Sequence, residues 1–317
     1  MCLFSVIIPS YNRAKLIEKT LYSVLKQDFQ DYEIIIVDDG STDNTIEILK
    51  QYQKFIRILQ QENQGPGAAR NLGIQQSKGH YIAFLDSDDQ WFPWTLATYE
   101  KLIYEYQEPS FICGRFINTQ IGETEPIFSK TVVNSKHYGD FYDCSEFLFY
   151  SFTTSSVVIK KQILRDVQGF SQIRSNYEDM DLWLRLGTAP GFVMIESPLL
   201  CIRWFHDHNI CLSPVHNRQG IQLIVEAEKQ GQYPGGSQRK SDRRAKICAL
   251  LRVASVTFVR EGKIQDAMYI YAQTFVWQLQ LGRVRYLVGL PLITLIKIGG
   301  QIIDHLFLRK LKFFSGN

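Results

Sequence analysis

The chain has 317 residues, 45% of them hydrophobic and 21% charged, with a formal net charge of +3. That length suits about two folded domains, and so ordinary a composition excludes a disordered or fibrous chain. So small a charge, with no basic stripe interleaved with aromatics, excludes nucleic acid as the expected partner.

The first part of the chain alternates between two periodicities. LFSVII (3–8) is apolar, β-branched and continuous, as a strand covered on both faces requires, and Pro9 ends it. Leu16, Ile17, Thr20, Leu21, Val24 and Leu25 recur at helical spacing and predict an amphipathic helix over 14–26. EIIIV (33–37) predicts a second buried strand, after which Ser41 or Thr42 caps a helix with Ile46, Ile48 and Leu49 on its inner face. FIRIL (55–59) reads as a third strand, GPGAARNLGIQQS as a glycine turn entering a helix, and YIAFL (81–85) as a fourth strand. Strands alternating with helices predict parallel β-α-β units in an α/β, doubly wound, mostly parallel sheet. Ligands bind beyond the carboxyl ends of such strands. Pro9 to Asn12, Asp38 with Asp39, and Asp86 to Asp89 are therefore the informative positions.

Further along, a helix is expected over 95–107, and 110–150 is irregular enough to read as a variable flap. SSVVIK (155–160) reads as a strand, followed by a helix over 161–167. SNYEDMDLWLRLG carries a helix beginning near Glu178, and FVMIESPLLCIRW (192–204) returns to strands. GQYPGGSQRKSDRR (231–244) breaks the composition and suits a linker. It divides a domain over 1–230, with halves over 1–110 and 111–230, from a helical C-terminal region over 245–317. Within that region, 245–260 and 264–280 have helical patterns separated by EGK. The six cysteines include no CxxC pair, which suits a reducing compartment. MCLFSVIIPSYNR has no basic n-region and too short an apolar run for a signal peptide, so a cytoplasmic address is expected.

The chemistry concentrates in FLDSDDQWFP (84–93). Asp86 and Asp88 are alternate residues of extended chain and project the same way. Two carboxylates so aligned hold Mn2+ or Mg2+ with positions left open for phosphate oxygens. Asp89 is expected to cap the helix that follows. Asp38 suits an Asx turn, whereas Asp39 is the candidate reader of a base imide, beside Pro9, Ser10 and the Tyr11 ring. GPGAARN is neither a Walker loop nor GxGxxG, and leaves Arg70 either reaching a pyrophosphate or packed along its helix. In YEDMD, helical spacing puts Glu178 and Asp181 on one face and Asp179 elsewhere; the acids either complement the helix dipole or supply a general base. His206 and His208 are candidate metal ligands, though ordinary hydrogen-bonded histidine is the commoner case.

SVIIPSYNR, IIIVDDGSTDNT, NQGPGAARNLGI, YIAFLDSDD and EDMDLWLRL, in that order, resemble the inverting glycosyltransferases of family 2, over about 3–215. The resemblance implies the GT-A fold and transfer of a sugar from a nucleotide-diphosphate donor, UDP-sugar favoured, to a saccharide or lipid-linked glycan hydroxyl. It implies nucleoside contacts at Pro9 and Tyr11, a base contact at Asp39, Asp86 against ribose or metal, metal ligation by Asp88, His206 as a further metal or phosphate contact, and Asp179 as base; Ser10 and Arg70 join the donor-binding candidates from the residues themselves. RWFHDHN departs from the family's R-x-H spacing and leaves His206 against His208 open. CIRWF lacks the glutamine of processive members, which implies single addition. A nucleotidyltransferase or a non-catalytic scaffold are the alternatives. The acceptor pocket is expected from 115–150, 171–177 and the C-terminal region.

The stretch 286–308 is nearly long enough to span a bilayer, but holds Lys297, Asp304 and His305. With Arg283, Arg285, Arg309, Lys310 and Lys312 around it, 283–314 suits peripheral contact with the inner face of an anionic membrane. The alternative is a helix covering the catalytic domain or a homodimer partner.

Overall fold

The absence of alternation in LFSVII has a direct structural cause: β1 (Phe4–Ser10) is buried along its whole length. Val6 and Ile8 share a core with Ile17, Leu21 and Val24 of α1 (Ile17–Leu25). This computed structural model describes residues 2–120, 123–124, 126–144, 152–172, 176–205 and 214–314, with side chains described outside 214–217 and 300–314. The chain divides into two compact units, Met1–Ser237 and Gln238–Asn317.

In the first unit, β2 (Tyr32–Asp38), α2 (Thr45–Lys50), β3 (Arg57–Gln60), α3 (Pro66–Gln76) and β4 (Tyr81–Phe84) complete the first half. Then come β5 (Gln90–Trp91), α4 (Thr95–Glu105), β6 (Phe111–Gly114), β7 (Phe116–Gln120) and β8 (Asn134–Tyr138). They are followed by β9 (Val157–Lys160), α5 (Lys161–Asp166), α6 (Glu178–Arg185), β10 (Phe192–Ser197), β11 (Cys201–Phe205) and α7 (Pro214–Lys229). The main sheet has the order β3-β2-β1-β4-β9-β6-β10-β8, and a small one has β5-β11-β7. β1 pairs in parallel with both β2 and β4, as β2 does with β3 and β6 with β10. β9 runs antiparallel to β4 and β6, and β8 closes an edge antiparallel to β10. The result is a mostly parallel, GT-A-like sheet with flanking helices. On the β1 face opposite α1, α3 approaches so closely that a Cβ on Gly73 would stand 2.6 Å from Ile7 Cγ2.

Local expectations hold unevenly. The region read as an irregular flap contains β6, β7 and β8. Ser41 and Thr42 cap no helix: α2 begins at Thr45, and the Ser41 hydroxyl accepts from Asn12 N at 2.9 Å while Thr42 N donates to Asn12 Oδ1 at 2.8 Å. Asp38 does make the expected turn, accepting from Ser41 N at 3.1 Å. Asp89 is no helix cap either; it is buried, accepting from the Ser155 hydroxyl at 2.5 Å and from Trp204 N at 3.2 Å. It thus ties the strand-end loop to β11.

The second unit contains α8 (Lys240–Arg260), α9 (Ile264–Gln280) and α10 (Val284–Phe314). Its helix starts at Lys240, inside the stretch read as linker. Ile247, Leu251 and Phe258 of α8, Ile270 and Trp277 of α9, and Leu290 of α10 are buried. Pro291 lies inside α10 and cannot donate to the Leu287 carbonyl one turn back. The Tyr271 hydroxyl from α9 donates to that carbonyl instead, at 2.9 Å. Among the described residues no helix is long and apolar enough to cross a membrane.

Candidate active site

Strand order reverses between β1 and β4, because β1 leads outward to β2 and β3 while β4 pairs on its other side. Beyond the carboxyl ends of strands at such a switch point, diverging connections leave a crevice. A cleft of about 640 Å3 opens there, lined by Pro9, Ser10 and Tyr11 from the end of β1, Asp39 after β2, and Asp86 and Asp88 after β4.

Asp39 is fixed by its own loop. Its Oδ1 accepts from Gln61 Nε2 at 2.7 Å and Gln64 N at 2.9 Å, and its Oδ2 from Gly65 N at 2.8 Å. A carboxylate offers about four lone-pair sites, so one remains for a ligand. Gly65, at φ +94, precedes Pro66 in the first turn of α3, where proline's missing N–H costs no helical bond.

The start of α6 also contributes to the cleft. Tyr177 holds the left-handed backbone conformation at φ +74, and the next residues, Glu178 and Asp179, both line the cleft. The helical-spacing expectation fails at Asp181. That residue turns away from the cleft, pairing with Arg185 at 2.9 Å and accepting from the Tyr233 hydroxyl at 2.9 Å. The acids that share the cleft are sequence neighbours.

Arg70 connects Asp86 after β4 to the start of α6. Its Nη2 meets Asp86 Oδ1 at 2.6 Å, its Nη1 meets Glu178 Oε1 at 3.1 Å, and its guanidinium carbon lies 5.1 Å from the centre of the Phe170 ring. Burial alone would lower its pKa, but the two carboxylates more than offset that and raise it. The packed reading of Arg70 is therefore the one the geometry favours over a free phosphate hand. Arg13, which the sequence offered in SYNR and which drew no role there, pairs with Asp88 at 3.3 Å. Arg203 of β11 also lines the cleft without having been singled out.

These neighbours displace the acids' titration. Burial pushes Glu178 up to about 7, against the pull of Arg70 and with a further push from the Asp179 charge. Burial also raises Asp179, opposed by the Met180 N–H, which donates to its Oδ1 at 2.6 Å, and by Arg70. Asp89 rises well above the ordinary carboxylate range, first through burial and then through the charges of Asp88 and Asp86.

Every sequence-derived site residue within the described part of the chain lines this one cleft: Pro9, Ser10, Tyr11, Asp39, Arg70, Asp86, Asp88 and Asp179. His206 and His208 lie outside the described residues. Among the described residues no group of three or more histidine, cysteine or acidic side chains stands ready to hold a metal ion. Asp86 and Asp88 do offer the hard oxygen donors that Mn2+ or Mg2+ takes, and such ions complete their shells with water and substrate phosphate. The residues fit a substrate-bridged ion rather than a protein cage.

Fold and cleft together define the class, a GT-A-like architecture with an acidic crevice at the switch point. Residues 5–174, more than half of the chain, match glycosyl transferase family 2, and the chain belongs to that family. It is 26% identical over 281 residues to the GalNAc(5)-diNAcBac-PP-undecaprenol beta-1,3-glucosyltransferase of Campylobacter jejuni, covering 84% of this chain and 85% of that one. To the putative teichuronic acid biosynthesis glycosyltransferase TuaG of Bacillus subtilis it is 50% identical over 93 residues, 28% of this chain and 37% of TuaG. The chain spans about a third of the length of several curated relatives, from 31% to 37%. The S. aureus TarS 1–349 structure in complex with UDP-GlcNAc superposes with a TM-score of 0.69 at 21% identity, over 90% of this chain and 83% of that one. The mannosyltransferase PcManGT from Pyrobaculum calidifontis, in complex with GDP-Man and Mn2+, gives 0.55 at 17% identity, over 93% and 87%. Both likenesses are of fold. Family membership groups the chain with glycosyl transferases rather than with nucleotidyltransferases.

Proposed function

We propose that this protein transfers a sugar, with inversion and one residue at a time, from a UDP-sugar to a hydroxyl of a saccharide or lipid-linked glycan at the cytoplasmic face of a membrane. One observation carries the reading: the strand-end carboxylates Asp86 and Asp88 and the helix-borne Asp179 line the same cleft. A transferase that inverts needs its leaving-group site and its base on opposite sides of one reacting carbon. Named complexes of the structural relatives, with UDP-GlcNAc in TarS and GDP-Man in PcManGT, support a nucleotide-sugar donor here.

In this reading the Tyr11 ring and Asp39 receive the base, the carboxylate through the lone pair that its loop leaves over. Asp86 and Asp88 would hold Mn2+ or Mg2+, which when bound supplies positive charge against the departing diphosphate. Asp179 takes the proton of the acceptor hydroxyl. It suits that task better than Glu178, because Glu178 is committed to Arg70, whereas the one hydrogen bond described for Asp179 comes from the Met180 N–H. Its raised pKa makes it a stronger base than an ordinary carboxylate.

A thermal-shift screen of nucleotide-diphosphate sugars, with and without Mn2+, tests the donor: UDP-sugars are expected to raise Tm, more so with the metal. Asp179→Asn should keep that shift while turnover falls by about two orders of magnitude or more. Failure of every nucleotide sugar to stabilise the protein would remove the donor assignment; near-normal turnover of Asp179→Asn would remove the base.

A further inference from the structure

We infer that the outward face of α10 is a docking surface for an anionic phospholipid leaflet, on which the helix lies parallel to the membrane plane. The inference shares the membrane location of the proposed function and is independent of its donor chemistry. α10 buries Leu290 and Thr294 and sets the Tyr286 hydroxyl 3.0 Å from that of Ser255, so one stripe of the helix is spoken for. At 3.6 residues per turn, Val284, Val288, Leu292, Leu295 and Ile296 fall on the opposite arc. They are exposed, Leu295 by 65% and Ile296 by 74%. From 286 to 296 the helix holds no charged residue at all. An arc so apolar facing water calls for a cover.

Charge identifies that cover. Arg283 and Arg285 stand before the apolar run and Lys297 after it, and Arg309, Lys310 and Lys312 follow, with Asp304 the sole acid between 283 and 314. Apolar residues on one arc with cations at its ends match the acyl boundary and the phosphate layer of an anionic leaflet. A self-complementary face of a second copy would bring those like charges together instead. Among the described residues no helix is long and apolar enough to span instead. On α9 of the same unit, Phe275, Val276 and Leu279 are also exposed.

The test is co-sedimentation of the full chain with vesicles of phosphatidylcholine alone or with a third of phosphatidylglycerol. The protein should pellet with the anionic vesicles and release as salt is raised. Val288→Asp with Leu292→Asp alters positions that are more than half exposed. That double variant should keep the wild-type helical circular dichroism, melting curve and any Tm shift by UDP, while losing at least about tenfold in vesicle partition. Arg285→Gln, a change at an exposed position, should lose about fivefold, and only at low salt. No pelleting with either vesicle overturns the inference, as does equal pelleting of wild type and the Asp variant. So does a dimer in sedimentation velocity that the Asp variant dissociates, which would give the face to a second copy. Because vesicle partition and nucleotide-induced Tm shift are read separately, loss of one leaves the other standing.

Discussion

Arg70 carries two carboxylates from distant parts of the chain, Asp86 16 residues on and Glu178 108 residues on. With the arginine gone, both acids lose their cation, and Glu178 remains where burial already works against its charge. Breaking such a network costs about 3–5 kcal/mol, because the loss lies in the uncompensated partner more than in the bond. Arg70→Ala is therefore expected to lower Tm steeply, and adding Glu178→Gln should recover part of the loss by removing one orphaned charge. A side chain held for a pyrophosphate would behave otherwise. Its removal would relieve repulsion among cations in the free protein, leaving Tm unchanged or higher while the Kd for UDP rose. Tm and Kd measured together for wild type, the single variant and the double variant decide between the two. A double variant no more stable than Arg70→Ala would sink the bracket.

At the scale of elements, α9 and α10 are joined by one unusual bond. Pro291 leaves the Leu287 carbonyl without its helical donor, and the Tyr271 hydroxyl supplies one. Tyr271→Phe should cost about 0.5–1.5 kcal/mol, the net worth of one hydrogen bond at a partly buried carbonyl. In a Pro291→Ala background the helix provides its own N–H, so the same change should be nearly neutral. A double-mutant cycle by urea denaturation reads the coupling, and equal costs in both backgrounds would refute it. Such long-range arrangements mark the limit of what the sequence displays. Unbroken runs such as EIIIV announce buried strands, and strand ends in a doubly wound sheet converge, so the cleft with Asp39, Asp86 and Asp88 was legible. Asp89 was not, because the partners that make it a buried tie rather than a cap lie 66 and 115 residues away. Nor was the direction of Asp181: helical spacing groups residues by face, but Arg185 and Tyr233 decide which face turns inward. β8, an edge strand with mostly exposed side chains, carries no apolar signal to read.

For the whole molecule, the distribution of charge matters more than its sum. The chain is formally +3, yet its cleft sets the carboxylates of Asp39, Asp86, Asp88, Asp89, Glu178 and Asp179 against the guanidiniums of Arg13, Arg70 and Arg203. Most folded proteins lose stability in acid because their paired carboxylates have depressed pKa values. Here Glu178, Asp179 and Asp89 are shifted the other way. An acid with a raised folded pKa binds its proton more tightly when folded. Its contribution is full below the unfolded value, 4.5 for a glutamate, and is lost as pH rises through the folded value, about 7 for Glu178. Tm should therefore fall between about pH 5 and pH 7.5 in metal-free buffer, and Glu178→Gln should flatten the decline. Mn2+ taken up with UDP would set a cation against the ionised acids, so the pair should raise Tm more at the alkaline end of that window than at the acid end. A Tm that climbs with pH in wild type and variant alike would mean that the cleft acids ionise as freely as surface ones, and the preorganised acidic crevice would have to be given up.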